Sequence, residues 1–173
     1  MSPLRIAMWS GPRNLSTAMM YSFAARGDCQ VWDEPFYAAY LHKTGMDHPM
    51  RDEVIGAGLA DSRAVASACL APLNAEQSLF YQKHMTLHMV PDFDRGFMRG
   101  LTNVFLIRHP ARVIASYAKK REAPELADIG FVQQAELFDE VADWLGHAPL
   151  VVDSADICAT PRETLSRLCA TLD

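Results

Sequence analysis

The sequence lacks an excess of positive charge and any pairing of its cysteines. Lys and Arg together number 16 and Asp and Glu 21 among 173 residues, so the formal net charge is −5. Proteins that bind nucleic acids or acidic membranes usually present basic surfaces, so we expect neither a nucleic acid nor a membrane as a partner. The four cysteines form no CxxC pair, which favours a reducing, cytoplasmic setting.

Long apolar segments are missing too. The first residues, up to position 7, are too few for the apolar region of a signal peptide, and no later run approaches the length that spans a bilayer. The sequence also contains no repeat, low-complexity tract or interdomain linker. Because a chain of 173 residues suits one compact unit, we expect a single soluble domain over residues 1–173.

Short apolar runs alternate with longer amphipathic stretches along the chain. The runs are typical of strands buried on both faces, and they cover residues 4–9, 29–32, 79–82, 103–107 and 150–152. The predicted helices cover residues 15–26, 110–121 and 131–145, with a last one starting at 161. Residues 42–50 are predicted to form a surface loop. Strand and helix alternation predicts an α/β fold with a central parallel sheet of about five strands flanked by helices.

A polar loop joins the first predicted strand to the first predicted helix. Residues 10–17 read Ser-Gly-Pro-Arg-Asn-Leu-Ser-Thr. The unpaired N–H groups and the positive dipole end of the helix point at the occupant of such a loop, which favours an anion. Arg13 adds a fixed positive charge, and Ser16 and Thr17 place hydroxyls in the first turn. The alternative is that Asn14 or Ser16 only caps the helix and that Arg13 lies in solvent.

A second strand-to-helix junction has the same character. Predicted strand 103–107 is followed directly by Arg108, and the helix after it carries Ser116. A guanidinium at the end of a strand and a hydroxyl two turns into the helix can bind one phosphate together. The alternative is that Ser116 bonds its own backbone and that the cations at 119–121 complement the helix dipole.

The two junctions together resemble the nucleotide-binding motifs of sulfotransferases that use 3′-phosphoadenosine 5′-phosphosulfate (PAPS). Residues 10–17 are similar to the family's 5′-phosphosulfate loop, and residues 105–108 with Ser116 are similar to its 3′-phosphate motif. The resemblance implies a three-layer fold like that of P-loop NTPases, PAPS as co-substrate, and a small-molecule acceptor with a hydroxyl or amine. It implies that Arg13 takes the place usually held by lysine. The implied PAPS contacts are Gly11, Pro12, Arg13, Asn14, Leu15, Ser16, Thr17, Arg108 and Ser116.

Two segments provide candidates for the base that accepts the acceptor's proton. Glu34-Pro35 is similar to the Glu-Pro element of bacterial carbohydrate sulfotransferases, and Lys83-His84 stands where cytosolic members have a Lys-Thr-His element. The base is therefore either Glu34 or His84, each placed just past a strand. Arg13 and Lys83 are the candidates for stabilising charge on the leaving phosphate. The alternative for Glu34 is a helix cap, with Pro35 at the first helical position.

No metal is expected, because His84 and His88 lack a third ligand of suitable type. Family members usually continue past the point where this chain stops, so we also expect the C-terminal part of the family fold to be absent. Two other functions stay open: a P-loop-type phosphotransferase and a non-catalytic nucleotide-binding module. A Walker A motif would need glycine and lysine at Leu15 and Ser16, which disfavours the phosphotransferase.

Overall fold

The computed structural model describes residues 3–118 and 125–172. Its strands are β1 (Leu4–Ser10), β2 (Cys29–Asp33), β3 (Leu79–Met85), β4 (Thr102–Ile107) and β5 (Leu150–Asp153). They form one sheet in the order β2-β3-β1-β4-β5, and every neighbouring pair is parallel. The predicted α/β fold with a parallel sheet of five strands is confirmed.

Helices cover both faces of this sheet and give the fold three layers. They are α1 (Ser16–Ala24), α2 (Tyr37–Thr44), α3 (Arg51–Ala57), α4 (Ser62–Cys69), α5 (Pro110–Tyr117), α6 (Leu126–Ile129), α7 (Phe131–Leu145), α8 (Ser154–Ala159) and α9 (Pro161–Leu172). Buried apolar side chains of α1, α8 and α9 pack on one face, and those of α2, α4 and α7 pack on the other. Of the helices in the described ranges, none is long and apolar enough to cross a membrane.

Strand β1 contributes to both layers. Ile6 and Met8 contact the cluster around α1, whereas Ala7 and Trp9 contact the cluster around α7. Side chains alternate between the two faces of a strand. A strand covered on both faces therefore has a continuous apolar sequence, as residues 4–9 do.

Among the predicted boundaries that the structure corrects are the end of β3 and the start of the loop after α2. Strand β3 extends to Met85, so Lys83 and His84 lie inside the strand and not just past its end. The strand continues because Asp33 and Trp9 bind these two polar side chains on opposite faces. Helix α2 continues to Thr44, so the predicted loop 42–50 begins three residues later than expected, at 45. Helix α5 is described to Tyr117, and its predicted extension to residues 119–121 lies outside the described residues.

The sheet order brings the two predicted anion-binding junctions together. Strand β1 lies in the centre, with β3 on one side and β4 on the other. In open parallel sheets, ligands bind at the carboxyl ends of the strands where the order of connection reverses. The loop after β1 and the start of α5 after β4 both lie at this edge.

The corner between α6 and α7 packs directly against the loop after β1. A Cβ atom on Gly11 would lie 2.4 Å from the carbonyl oxygen of Ile129. The corner is itself fixed, because Thr86 Oγ1 donates to Gly130 O at 2.8 Å. Gly11 is therefore required by packing, since no side chain fits between the loop and the corner.

Replacing Gly11 with alanine should lower the free energy of unfolding by roughly 1–3 kcal/mol, because the new methyl group meets backbone that cannot move cheaply. Urea unfolding of wild type and variant measures this difference. Gly56→Ala is the matched control: its Cβ would have no neighbour within 4 Å, and alanine in a helix should stabilise by up to about 1 kcal/mol. Equal stability of the two variants would contradict the packing argument.

Candidate functional site

The loop between β1 and α1 has an unusual backbone. Arg13 and Leu15 have φ angles of 64° and 67°, a left-handed region that side chains other than glycine rarely adopt. Leu15 is the N-cap residue of α1, and no side chain caps the helix. Asn14 is buried and donates from Nδ2 to Leu106 O at 3.2 Å. The interpretation that Asn14 or Ser16 caps the helix is therefore wrong.

Side chains of the two junctions bond to each other across the edge of the sheet. Arg13 Nε donates to Ser116 Oγ at 3.0 Å, and Arg108 Nη1 donates to Arg13 O at 2.7 Å. Ser116 therefore bonds an arginine of the other junction, and Arg13 is fixed by partners on the second junction. The loop and helix α5 form one unit.

This unit encloses a small cleft of about 250 Å³. Its lining residues are Arg13, Asn14, Leu15, Ser16, Thr17, Arg108 and Ser116. Two guanidinium groups and several hydroxyls thus face one space, and such donors suit a phosphate or sulfate group. Of the other predicted contacts, Gly11 packs against the α6–α7 corner and Pro12 is half-buried in the turn.

Glu34 lies just past β2 and is bonded to a buried lysine. Lys83 Nζ is 2.6 Å from Glu34 Oε1 and 2.7 Å from Asp33 Oδ1, and Lys83 is only 3% exposed. Burial alone lowers the pKa of Lys83, but the two carboxylates outweigh it and raise the pKa above its usual value. Lys83 is therefore charged. Helix α2 starts at Tyr37 with Phe36 as its N-cap, so the interpretation of Glu34 as a helix cap is wrong.

His84 lies on the opposite face of β3, inside the core. Its ring stacks on Trp9 with 4.3 Å between centroids, and its Nε2 bonds Gln82 Oε1 at 3.1 Å. Burial, and to a smaller extent His88, lowers the pKa of His84 to about 3. The side chain is 1% exposed, so a substrate cannot reach it in this arrangement. Of the two candidate bases, Glu34 is the one at the open edge of the sheet.

An aromatic cluster lies beside Glu34. Tyr37 stacks on His88 with 4.8 Å between centroids, and His88 stacks on Tyr40 at 4.9 Å. The hydroxyl of Tyr37 bonds His48 Nε2 at 2.9 Å. Burial, followed by the charge of Lys83, lowers the pKa of His88 to about 3. Because His48 lies in a polar loop, no sequence signal linked it to these rings.

A profile of the sulfotransferase domain matches residues 4–173, a range that includes every strand of the sheet and both sides of the cleft. The chain belongs to the sulfotransferase family. The predicted family is thereby confirmed.

Two proteins of Arabidopsis thaliana are similar to this sulfotransferase chain over nearly all of its length. Branched-chain-amino-acid aminotransferase-like protein 1 is 32% identical over 171 residues, which is 99% of this chain and 30% of that protein. Branched-chain-amino-acid aminotransferase-like protein 2 is 30% identical over 168 residues, which is 97% of this chain and 30% of that protein. The chain thus spans about 30% of the length of these relatives. Their names say nothing of a sulfuryl donor or acceptor.

Within residues 3–118 and 125–172, no three or more side chains of His, Cys, Asp or Glu come together in a group that could hold a metal ion.

Acidification should destabilise this sulfotransferase domain, because His84 and His88 are buried as neutral rings. Their pKa values of about 3 in the fold lie below an unfolded value of about 6.5. Between these values the unfolded chain binds more protons, so the stabilisation present above about pH 6.5 is lost as the pH falls towards 3. Urea unfolding between about pH 7 and 5 should show a loss of up to roughly 1.4 kcal/mol per pH unit for each histidine.

A variant without one of the rings provides the control. His84→Gln should reduce this pH dependence, whereas His147→Gln should leave it unchanged because His147 is exposed. A free energy of unfolding that stays constant over the range, or a pH dependence that survives His84→Gln in full, would contradict the argument.

Proposed function

We propose that this domain transfers the sulfuryl group of PAPS to a hydroxyl or amine of a small-molecule acceptor. The observation that supports the proposal best is the cleft in which Arg13, Arg108 and Ser116 meet. PAPS has phosphate groups on both the 5′ and the 3′ side of one ribose. A ligand of this kind needs two anion-binding segments side by side, and the bonded junctions after β1 and β4 have that arrangement.

The donor site in this proposal consists of the loop 11–17 for the 5′-phosphosulfate and of Arg108 with Ser116 for the 3′-phosphate. These residues fit PAPS, because guanidinium groups, hydroxyls and helix N–H groups all donate hydrogen bonds to anionic oxygens. Arg13 lies between the 5′-phosphosulfate site and the 3′-phosphate site. Its Nε is bonded to Ser116, and its guanidinium carries further N–H donors. Arg13 is thus the residue that stabilises negative charge on the phosphate as the S–O bond breaks.

On the acceptor side, we assign Glu34 as the base. Lys83 holds Glu34 Oε1, and Oε2 is the oxygen that takes the proton. The acceptor oxygen or nitrogen gives this proton to Glu34 and bonds to sulfur, while the S–O bond to the 5′-phosphate breaks and adenosine 3′,5′-bisphosphate (PAP) leaves. Strands β2 and β1 are two positions apart in the sheet, so their ends are roughly 10 Å apart. Strand β3 lies between them, so an acceptor that reaches both Glu34 and the loop lies over the carboxyl end of β3.

Lys83 has a positioning role in this proposal. The sequence made Lys83 a candidate for stabilising charge on the leaving phosphate, but its ammonium lies between two carboxylates and is almost fully buried, so we assign it to fixing the carboxylate of Glu34 instead. Glu34 itself has a left-handed backbone with φ of 48°. Strained backbone of this kind is often found at functional sites, and the bond to Lys83 holds the side chain in a single orientation.

The donor site can be tested with ligands that differ by one phosphate. Arg108→Ala should weaken PAP binding by roughly 1.5–3 kcal/mol, about tenfold or more, because it removes a charged partner of the 3′-phosphate. Binding of adenosine 5′-monophosphate should weaken much less, because the 5′-phosphosulfate loop loses only the bond from Arg108 to Arg13 O. Calorimetric titration of both ligands measures the difference, and Arg112→Ala, which changes an exposed arginine of the helix that follows Arg108, is the matched control. Equal losses for the two ligands would count against the assignment of Arg108.

The catalytic assignment can be tested by sulfate transfer from PAPS to a panel of hydroxyl and amine acceptors. Glu34→Gln should lower turnover by about a hundredfold or more, as loss of a general base does, and should leave PAP affinity intact. Asp33→Asn also removes a carboxylate from Lys83, but the turnover of this variant should fall much less. If Glu34→Gln turns over at the wild-type rate, the assignment of Glu34 as the base is refuted. If the wild type binds PAP but transfers to no acceptor, the non-catalytic alternative is favoured.

A further inference from the structure

A buried glutamine of α7 spans the two strands that lead into the anion cleft. Gln134 is 8% exposed. Its Nε2 donates to Leu106 O at 3.0 Å and approaches Trp9 O at 3.4 Å. Trp9 is at the carboxyl end of β1 and Leu106 at that of β4. One amide therefore contacts both strands at the point where they separate.

The carbonyl of Leu106 also accepts a hydrogen bond from the loop that lines the cleft. Asn14 Nδ2 donates to Leu106 O at 3.2 Å, so Leu106 O accepts bonds from α7 and from the loop after β1. Arg108 follows Leu106 closely in the chain, and Arg13 follows Trp9 closely. The two arginines therefore extend from backbone that Gln134 contacts, near the last paired residues of β1 and β4.

The position of α7 does not depend on this amide alone. The backbone of Gln134 donates to Gly130 O at 2.9 Å, and Thr86 Oγ1 donates to the same oxygen at 2.8 Å. Leu137 and Val141 anchor the rest of the helix in the core. Removing the amide should thus leave the helix in place and change only what it holds at the ends of β1 and β4.

We propose that Gln134 is a positioning residue that sets the separation between the 5′-phosphate and 3′-phosphate sites. The inference rests on the proposed function, because it assumes a nucleotide that uses both sites at once. The ribose fixes the distance between its two phosphates, so such a ligand gains from both sites only when their separation matches. A ligand with one phosphate is insensitive to that separation.

The experiment compares three ligands by calorimetry: PAP, adenosine 5′-monophosphate and adenosine 3′-monophosphate. Gln134→Met has nearly the same length and volume but no N–H donors. It should weaken PAP binding about tenfold and each monophosphate by less than about twofold, because only the bivalent ligand depends on spacing. Val141→Ala on the same helix is the control for a general loss of stability; it should lower the melting temperature and keep the preference for PAP over both monophosphates.

The outcomes separate this inference from the proposed function. A wild type that binds PAP no better than the monophosphates contradicts the proposed function, and the inference fails with it. A wild type that prefers PAP, with the preference retained in Gln134→Met, overturns the positioning role alone. An equal loss for all three ligands also overturns it, since that indicates a general structural effect. If Gln134→Met does not fold, Gln134→Asn keeps the amide on a shorter arm that cannot reach both carbonyls, and the same selective loss is expected.

Discussion

The bonds that join Arg13 to Ser116 and Arg108 to the backbone of Arg13 connect the two halves of the site. They form because β1 and β4 are neighbours in the sheet, so the segments that follow these strands leave it side by side. Each segment alone is an ordinary strand-to-helix junction. Together they place two guanidinium groups and several hydroxyls around one cleft, and the proposed donor site follows from that arrangement.

Buried polar side chains hold the backbone segments that carry these bonds. Asn14 and Gln134 are buried polar side chains, and each donates to a carbonyl at the end of a strand. Burying a polar group is costly unless it is hydrogen-bonded, so these side chains fix the backbone that they contact. Gly11 lets the α6–α7 corner approach the loop. The left-handed backbone of Arg13 is thereby held by bonds on both sides, which is the condition under which strained conformations persist.

The sheet, its five strands and the polar loop after β1 were predictable because they depend on local patterns: continuous apolar runs, and a polar turn that leads into a helix. The presence of Arg108 and Ser116 at the second junction could be read from the sequence in the same way, and the structure places them at one cleft with the loop. The location of His84 was not predictable, because a sequence of Gln82, Lys83 and His84 reads as the end of a strand. Lys83 and His84 are buried because partners distant in sequence contact them, Asp33 in the case of Lys83 and Trp9 in the case of His84. Gln134 gave no signal, since a glutamine on a helix reads as surface.

The proposed donor site requires one ligand to occupy both junctions at once. Hydrogen exchange of the whole domain, with and without saturating PAP, can detect this, because exchange reports protection segment by segment. We expect slower exchange in residues 10–17 and in residues 106–117 at the same PAP concentration. Protection of one segment without the other, or of neither while PAP is bound, would contradict it.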